Sequence, residues 1–330
     1  MSTAQSATLS VVGIGNAIVD VIGHAEDTFL ERHGMVKGTM ALVDEERADA
    51  IYRLMGPAIE SSGGSAANTV AGVASFGAKA GFIGKLRDDL LGTVFRHDIT
   101  ATGTLFPTAP ATDGPGTARC LIVVTPDAQR TMNTYLGACA NLGPADLDRE
   151  LIESAQITHL EGYLYDPPLA QEAFRQASEI AHGAGRKVSL SLSDVFCVQR
   201  HREAFQRLVD HHVDVLFANE LEIFELFQTS RIEAVIDRLR VSTELAAITR
   251  SERGSLIVAQ NRVIEIAAEA VPRVVDTTGA GDLYAAGFLF GLTSGRSLPA
   301  CGRLGSLAAA EVIGHVGARP EVALHELAGV

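Results

Sequence analysis

Short apolar segments alternate with helix-like segments along the second half of the chain, and this alternation restricts the fold more than any other feature. The apolar segments have the length of strands and lie at residues 157–160, 187–192, 213–217 and 245–249. The segments between them have helical spacing and lie at residues 168–182, 199–212 and 232–239. The alternation predicts parallel strands joined by crossover helices, and therefore an α/β sheet covered on both faces. Residues 9–14 add a buried strand that ends in a Gly-x-Gly turn.

Two segments interrupt this alternation. Residues 28–43 and 117–135 are rich in Thr, Val and Met and are punctuated by Gly. We interpret them as antiparallel strands outside the main sheet, within a small β lid that covers residues 22–44 and 104–136. An extension of the sheet edge is the alternative. No linker separates independent units, so residues 1–330 are predicted to form a single domain.

Composition limits the kinds of partner. The chain has 330 residues, of which 47% are hydrophobic, so it can bury a substantial core. Its formal net charge of −13 disfavours nucleic acid, so an anionic ligand needs local devices such as backbone amides at a helix end. No export signal or membrane-spanning run is evident, and the four cysteines form no C-x-x-C pair. We therefore expect free thiols, a cytoplasmic location and no membrane partner.

The most informative motif is Asp-Thr-Thr-Gly-Ala-Gly-Asp at residues 276–282, which an apolar helix-like stretch follows. Gly279, Ala280 and Gly281 would lie where that helix begins, and unpaired amides and the helix dipole favour an anion there, such as a phosphate. Asp282 would then receive the proton of a substrate hydroxyl, and the helix end should keep this base ionised and weak. An Asp that stabilises a helix start in a Gly-rich turn is the alternative.

A second group of residues predicts a site for sugar hydroxyls. Gly63 and Gly64 precede another predicted helix and would let a ligand rest on the backbone, and Asn68 can both donate to and accept from a hydroxyl. Asn16 and Asp20 follow the first strand, and a carboxylate there can accept from two vicinal hydroxyls of a ribose. A small-residue helix packed on the sheet, and a plain turn residue at Asp20, are the alternatives.

Two further polar segments follow strands at the sheet edge where α/β proteins bind ligands. Asn219 and Glu222 follow one strand, and Glu222 could order the waters around a Mg²⁺ bound to ATP. Thr249, Arg250 and Gly254 follow the next strand and could contact nucleotide phosphates. Acidic decoration of a helix surface and an ordinary polar turn are the respective alternatives.

Motifs of several other enzyme classes are incomplete or absent. Ile18 occupies the third glycine position after Gly13-Ile14-Gly15, which disfavours a Rossmann dehydrogenase, and Gly84-Lys85 lacks the remaining residues of a P-loop. No H-E-x-x-H or G-x-S-x-G sequence occurs. Zinc-protease and serine-hydrolase chemistry are therefore disfavoured.

In their order and spacing these motifs resemble the PfkB, or ribokinase-like, carbohydrate kinase family over nearly the whole chain. The resemblance implies an α/β three-layer sandwich with a central, mostly parallel sheet and a small β lid. It also implies an enzyme that uses ATP and Mg²⁺, with Asp282 as base and Asn219 and Glu222 in the ATP and Mg²⁺ site. Asp276 and Thr278 match positions that hold a monovalent cation, such as K⁺, in some members, while the remaining ligands match less clearly.

The resemblance leaves the substrate between a nucleoside and a free sugar. The spacing of Asn16 and Asp20 is similar to adenosine kinases, whereas Glu161 and Asn68 look closer to ribokinase and fructokinase patterns, and all four are counted as substrate-binding. We favour transfer of the γ-phosphoryl group of ATP to the 5′-hydroxyl of a ribonucleoside, with adenosine first. A sugar kinase is the alternative, and a non-catalytic binding regulator is a further one, which Asp282 disfavours. An oligomer could form through the lid.

Overall fold

The computed structural model describes residues 7–127 and 129–329, which form thirteen strands and twelve α-helices. The strands are β1 Leu9–Ile14, β2 Ile18–His24, β3 Met40–Leu42, β4 Ala58–Ser62, β5 Ala80–Ile83, β6 Ala118–Val124, β7 Arg130–Tyr135, β8 Ala155–Glu161, β9 Lys187–Ser191, β10 Val215–Asn219, β11 Leu245–Thr249, β12 Ser255–Ala259 and β13 Arg262–Ile266. The helices are α1 Asp27–Arg32, α2 Glu45–Leu54, α3 Ser65–Ser75, α4 Leu90–Ala101, α5 Arg149–Ser154, α6 Pro168–Gly183, α7 Val195–His211, α8 Glu220–Phe227, α9 Ile232–Ser242, α10 Ala280–Thr293, α11 Leu298–Val312 and α12 Leu324–Ala328.

Eight strands form the main sheet, in the order β13-β12-β11-β10-β9-β8-β1-β5. The neighbours from β5 to β11 are parallel, and β12 and β13 add an antiparallel edge. Successive residues point to opposite faces, so Val11 lies in a core cluster with α3 and α10, and Val12 lies in another with α6 and α7. The predicted α/β fold with a mostly parallel sheet and helices on both faces is confirmed.

Five strands form a second sheet, in the order β3-β7-β6-β2-β4. Residues 117–135 supply β6 and β7, which pair antiparallel as predicted for that segment. The prediction for residues 28–43 is wrong in part, because Asp27–Arg32 is a helix and only the short β3 is a strand, parallel to β7. The segment Asp27–Arg32 has an acidic residue in its first turn and a basic residue in its last turn, and both favour a helix. The strands β2 and β4 lie largely outside the predicted lid segments.

Small residues let α3 and α10 approach each other closely. A Cβ on Gly72 would lie 2.7 Å from the Cβ of Ala286 and the Cδ1 of Leu283, and Phe76 stacks on Phe290 at a ring-centroid distance of 4.8 Å. Both helices begin at the same edge of the main sheet. Their close packing therefore brings the turn before α3 against the start of α10, where Asp282 lies.

The remaining composition-based expectations concern membranes and thiols. Within the residues that the structure describes, no helix is long and apolar enough to cross a membrane. All four cysteines are buried and free, as predicted.

Candidate active site

A cleft of about 1150 Å³ lies between the carboxyl ends of the main-sheet strands and one face of the second sheet. Parallel strands end at one edge of a sheet, so the residues after β1, β8, β10 and β11 meet there. Most of the predicted site residues line this cleft, namely Asn16, Asp20, Gly64, Asn68, Glu161, Asn219, Glu222, Thr249, Gly254, Thr278, Gly279, Ala280, Gly281 and Asp282. Gly63, Arg250 and Asp276 do not line it directly.

Asp282 lies in the first turn of α10, where two side chains from α3 hold its carboxylate. Ser65 Oγ donates to Oδ1 at 2.6 Å, and Asn68 Nδ2 donates to Oδ2 at 3.0 Å. Burial raises the pKa of Asp282, and the two hydrogen bonds oppose that rise. The helix end alone was expected to keep this carboxylate ionised and weakly basic, whereas burial shifts its pKa upward and makes it a stronger base than a free Asp. Asn68, predicted to contact a sugar hydroxyl, lines the cleft and also donates to Asp282.

The turn before α10 needs glycine at one position and leaves space at another. Gly279 is the N-cap with a φ of 77°, and a Cβ on it would lie 2.7 Å from the carbonyl oxygen of Ala318. A Cβ on Gly281 would meet nothing within 4 Å. Gly279 thus fixes the shape of the turn, while Gly281 keeps the start of the helix open to the cleft.

Asp20 lies in β2 of the second sheet, opposite the glycines that precede α3. A Cβ on Gly63 would lie 2.6 Å from the carboxyl carbon of Asp20, so Gly63 makes room for that carboxylate. Burial raises the pKa of Asp20 to about 6, against the lowering effect of Arg130 and Arg319. This half-buried carboxylate lines the cleft, where it can accept hydrogen bonds from the hydroxyls of a substrate.

Glu161 holds other site residues in place. Its carboxylate accepts from Asn16 Nδ2 at 2.6 Å and from the backbone amide of Ala66 at 2.8 Å, and the residue is 1% exposed. Burial raises its pKa to about 7. Glu161 thus holds Asn16 and the start of α3 in place and also lines the cleft, and its assignment to substrate binding stays a prediction. Gly15 has no room for a side chain beside this carboxylate.

Apolar side chains of the second sheet line the cleft around Asp20. They are Ile18, Met40, Leu42, Ile122 and Met132, and Leu136, directly after β7, adds to them. The sequence analysis did not identify them, because they alternate along strands whose pairing partners are far apart in the chain. This apolar wall is suited to a flat, weakly polar group, and a ring of sugar hydroxyls would find few polar partners on it.

Asn219 and Glu222 form a capping box at the start of α8. The Glu222 carboxylate accepts from Asn219 N at 2.9 Å and from Asn219 Nδ2 at 2.6 Å. Glu222 is only 5% exposed, and burial raises its pKa to about 7. Glu222 is thus not an acidic residue of the helix surface. That alternative fits Glu220 and Glu225, which form ion pairs with arginines. A carboxylate has about four acceptor positions, so Glu222 retains capacity for the waters of a Mg²⁺.

Thr249 and Gly254 flank a short 3₁₀ turn at the end of β11, and both line the cleft. Gly254 has a φ of 74°, and a Cβ on it would lie 2.7 Å from the backbone nitrogen of Ala268. The side chain of Arg250 donates to the carbonyl of Arg253 and does not line the cleft. The prediction that Arg250 contacts nucleotide is therefore not supported by its position.

Asp276 and Thr278 lie in the loop before the predicted anion hole, and a side chain from the second sheet binds both. Arg130, in β7, forms an ion pair with Asp276 and donates from Nη1 to Thr278 Oγ1 at 2.6 Å. Burial works to raise the pKa of Asp276, but hydrogen bonds from Thr278, Gly317 and Arg130 outweigh burial and hold it below its ordinary value. Sequence reasoning missed Arg130, which is 146 positions from its partner.

Comparison with known proteins agrees with this geometry. The model of the pfkB family of carbohydrate kinases matches residues 58–323, and the chain belongs to that family. It is therefore a phosphotransferase that uses ATP and has an alcohol group as acceptor, of the nucleoside and sugar kinase class. The predicted family and enzyme class are confirmed.

Within this family the chain is adenosine kinase-like. It is 50% identical to the adenosine kinase of Sinorhizobium meliloti, whose crystal structure covers 98% of this chain and 99% of its own, with a TM-score of 0.92. A probable sugar kinase of Rhizobium etli is 47% identical with the same TM-score, and each chain is covered to 98%. The adenosine kinase of Saccharomyces cerevisiae is 24% identical over 94% of this chain and 96% of its own.

Proposed function

We propose that this enzyme transfers the γ-phosphoryl group of ATP to the 5′-hydroxyl of adenosine or a closely related purine nucleoside. The observation that carries the proposal is the apolar wall of the second sheet beside Asp20. A nucleoside has a ribose diol for the carboxylate and a flat base for the apolar side chains. A free sugar has only the first of these. The 50% identity to an adenosine kinase supports the same choice.

Three groups of residues share the reaction. Asp20 accepts from the two ribose hydroxyls and so orients the 5′-hydroxyl toward Asp282. Asp282 takes the proton of the 5′-hydroxyl. The hydroxyl oxygen attacks the γ-phosphorus, and the bond between the γ-phosphorus and the oxygen that bridges to the β-phosphate breaks. The amides at the start of α10 stabilise the negative charge of the phosphoryl group. The second sheet is proposed to act as a lid that excludes water.

The nucleotide has its own side of the cleft. Ala247, Ala309, Ala310 and Ile313 line it beside Thr249, and their small apolar surfaces suit an adenine ring. Mg²⁺ bound to the phosphates would be held through water by Glu222, and it would neutralise charge on the β- and γ-phosphates. A cation there would also keep Glu222 ionised despite its burial.

A substrate panel tests the choice of nucleoside. We expect kcat/KM for adenosine to exceed that for ribose and fructose by about a hundredfold, because burying about 100 Å² of apolar base surface contributes about 2.5 kcal/mol. Met132→Ser should reduce this ratio, whereas Met55→Ser, a control outside the cleft, should not. A ratio near one, or a preference for a free hexose, would contradict the assignment and leave the kinase class intact.

Acidic pH is expected to weaken nucleoside binding through Asp20. Above a pKa of about 6 the carboxylate is ionised and accepts from two hydroxyls, and below it the added proton removes an acceptor position. The KM for nucleoside should therefore rise as pH falls through this value. Asp20→Asn should raise KM by roughly 10- to 100-fold and remove this pH dependence. An Asp20→Asn enzyme with an unchanged KM profile would exclude Asp20 from the site.

A further inference from the structure

We propose that Arg130 takes the position at Asp276 and Thr278 that a monovalent cation would occupy, so that this enzyme needs no added monovalent cation. The proposal rests on the kinase activity but not on which hydroxyl compound is accepted. Asp276 and Thr278 match cation-binding positions by sequence, yet in the structure a guanidinium from the second sheet lies against both.

The carboxylate of Asp276 has no acceptor position left for an ion. Its Oδ1 accepts from Thr278 N at 3.0 Å and from Thr278 Oγ1 at 2.7 Å. Its Oδ2 accepts from Arg130 Nη1 and from Gly317 N at 3.1 Å. These four donors match the roughly four lone-pair positions of a carboxylate. The residue is 8% exposed, so an ion would have to displace a donor inside the protein.

Within the part of the chain that the structure describes, acidic side chains do not form a replacement site around Asp276. Among the described residues, no group of three or more His, Cys, Asp or Glu side chains is arranged to hold a metal ion. Two backbone amides, of Thr278 and Gly317, point their hydrogens at Asp276, and such donors repel a cation. The charge that balances this buried carboxylate is the guanidinium of Arg130, whose side chain is 15% exposed.

Arg130 belongs to the second sheet, so its ion pair with Asp276 links that sheet to the turn before α10. It lies at the start of β7, so the positive charge is carried by the second sheet and not by the main sheet. Asp276 is three residues before Gly279, so its position bears on the turn of the anion hole. Movement of the second sheet away from the cleft would withdraw the guanidinium. Arg130 is thus a positioning residue that couples the second sheet to the phosphate-binding turn.

The test compares K⁺ with tetramethylammonium at equal ionic strength, in kcat and in the thermal unfolding midpoint without substrates. For the wild-type enzyme we expect the same unfolding midpoint in the two salts, and kcat values within about twofold of each other, because no ion binds the native state. Arg130→Met should lower kcat, and its unfolding midpoint and kcat should both rise in K⁺, since the ion can then take the position on Asp276 Oδ2 that the guanidinium leaves. Arg130→Lys keeps the charge and should respond to neither salt.

Arg119→Met is the matched control, because Arg119 is equally buried in the same sheet but pairs with Asp49. It should behave as wild type toward both salts. Activation of the wild-type enzyme by K⁺ of tenfold or more would overturn the proposal. An Arg130→Met protein whose unfolding midpoint and kcat do not change in K⁺ would also overturn it. The unfolding measurement needs no nucleoside, so a wrong substrate assignment would not change its outcome.

Discussion

Asp282→Asn is expected to lower kcat by roughly 10² to 10⁴-fold, the usual contribution of a general base. The substitution keeps the shape of the site. An Asn oxygen can still accept from Asn68 Nδ2, and its amide can donate to Ser65 Oγ, since a hydroxyl also accepts. What is lost is the negative charge and the base that burial strengthens. Rapid-quench measurement of phosphoryl transfer, with nucleotide affinity measured separately, checks the result.

Nucleotide affinity should stay the same or increase, because Asp282→Asn removes a negative charge close to the phosphate-binding turn. Asp49→Asn serves as the control, because it makes the same chemical change on the outer side of the second sheet. It should leave kcat unchanged. If folded Asp282→Asn protein kept nearly full kcat, Asp282 would be a helix-start residue and not the base.

Gly279→Val should abolish measurable turnover and weaken nucleotide binding as well. The φ of 77° lies in the left-handed region, which costs a β-branched residue about 1–3 kcal/mol. The new Cβ would also lie 2.7 Å from the carbonyl oxygen of Ala318, so the backbone has to move. Because this turn positions the amides proposed to face the phosphate, a change in its shape should disrupt the proposed anion hole as well. Thermal unfolding and nucleotide titration measure the two effects.

Gly281→Ala is the matched change two residues later. A methyl group there meets no protein atom within 4 Å, and alanine stabilises a helix by up to about 1 kcal/mol relative to glycine. The unfolding midpoint should therefore be kept or raised, while kcat falls because the methyl group stands where a phosphate would approach. Full activity in Gly281→Ala would contradict an anion hole at the start of α10.

Five of the eight main-sheet strands could be predicted from sequence because they carry their own apolar signal, whereas β5, β12 and β13 were not predicted. The predicted strand at residues 9–14 matches β1, and residues 245–249 match β11. The second sheet was only partly predictable. In β4, Ala58–Ser62, the apolar residues Ala58 and Ile59 are exposed, and β2 pairs with β6 about a hundred residues away. Such pairing depends on tertiary contacts that local patterns do not encode.

The candidate site, like the fold, could be predicted only where residues carry a local sequence signal. Asp282 and its glycines were identified because a Gly-rich turn before an apolar helix has a local physical meaning. The hydrogen bonds of Glu161 could not be predicted, since its partners, Asn16 and Ala66, belong to distant segments. Arg130 was missed for the same reason. A single arginine at the start of a strand has no local feature that indicates its partner.

Phosphorus-31 NMR of the complete reaction tests the central claim most directly. With the enzyme, Mg²⁺, ATP and adenosine, we predict that the γ-phosphorus signal of ATP is replaced by a phosphomonoester signal coupled to the 5′ protons of the nucleoside. One ADP should form for each ester, and the ester should be absent with Asp282→Asn on the same timescale. Release of inorganic phosphate without an ester, or a monoester formed only when a free sugar replaces adenosine, would contradict the account.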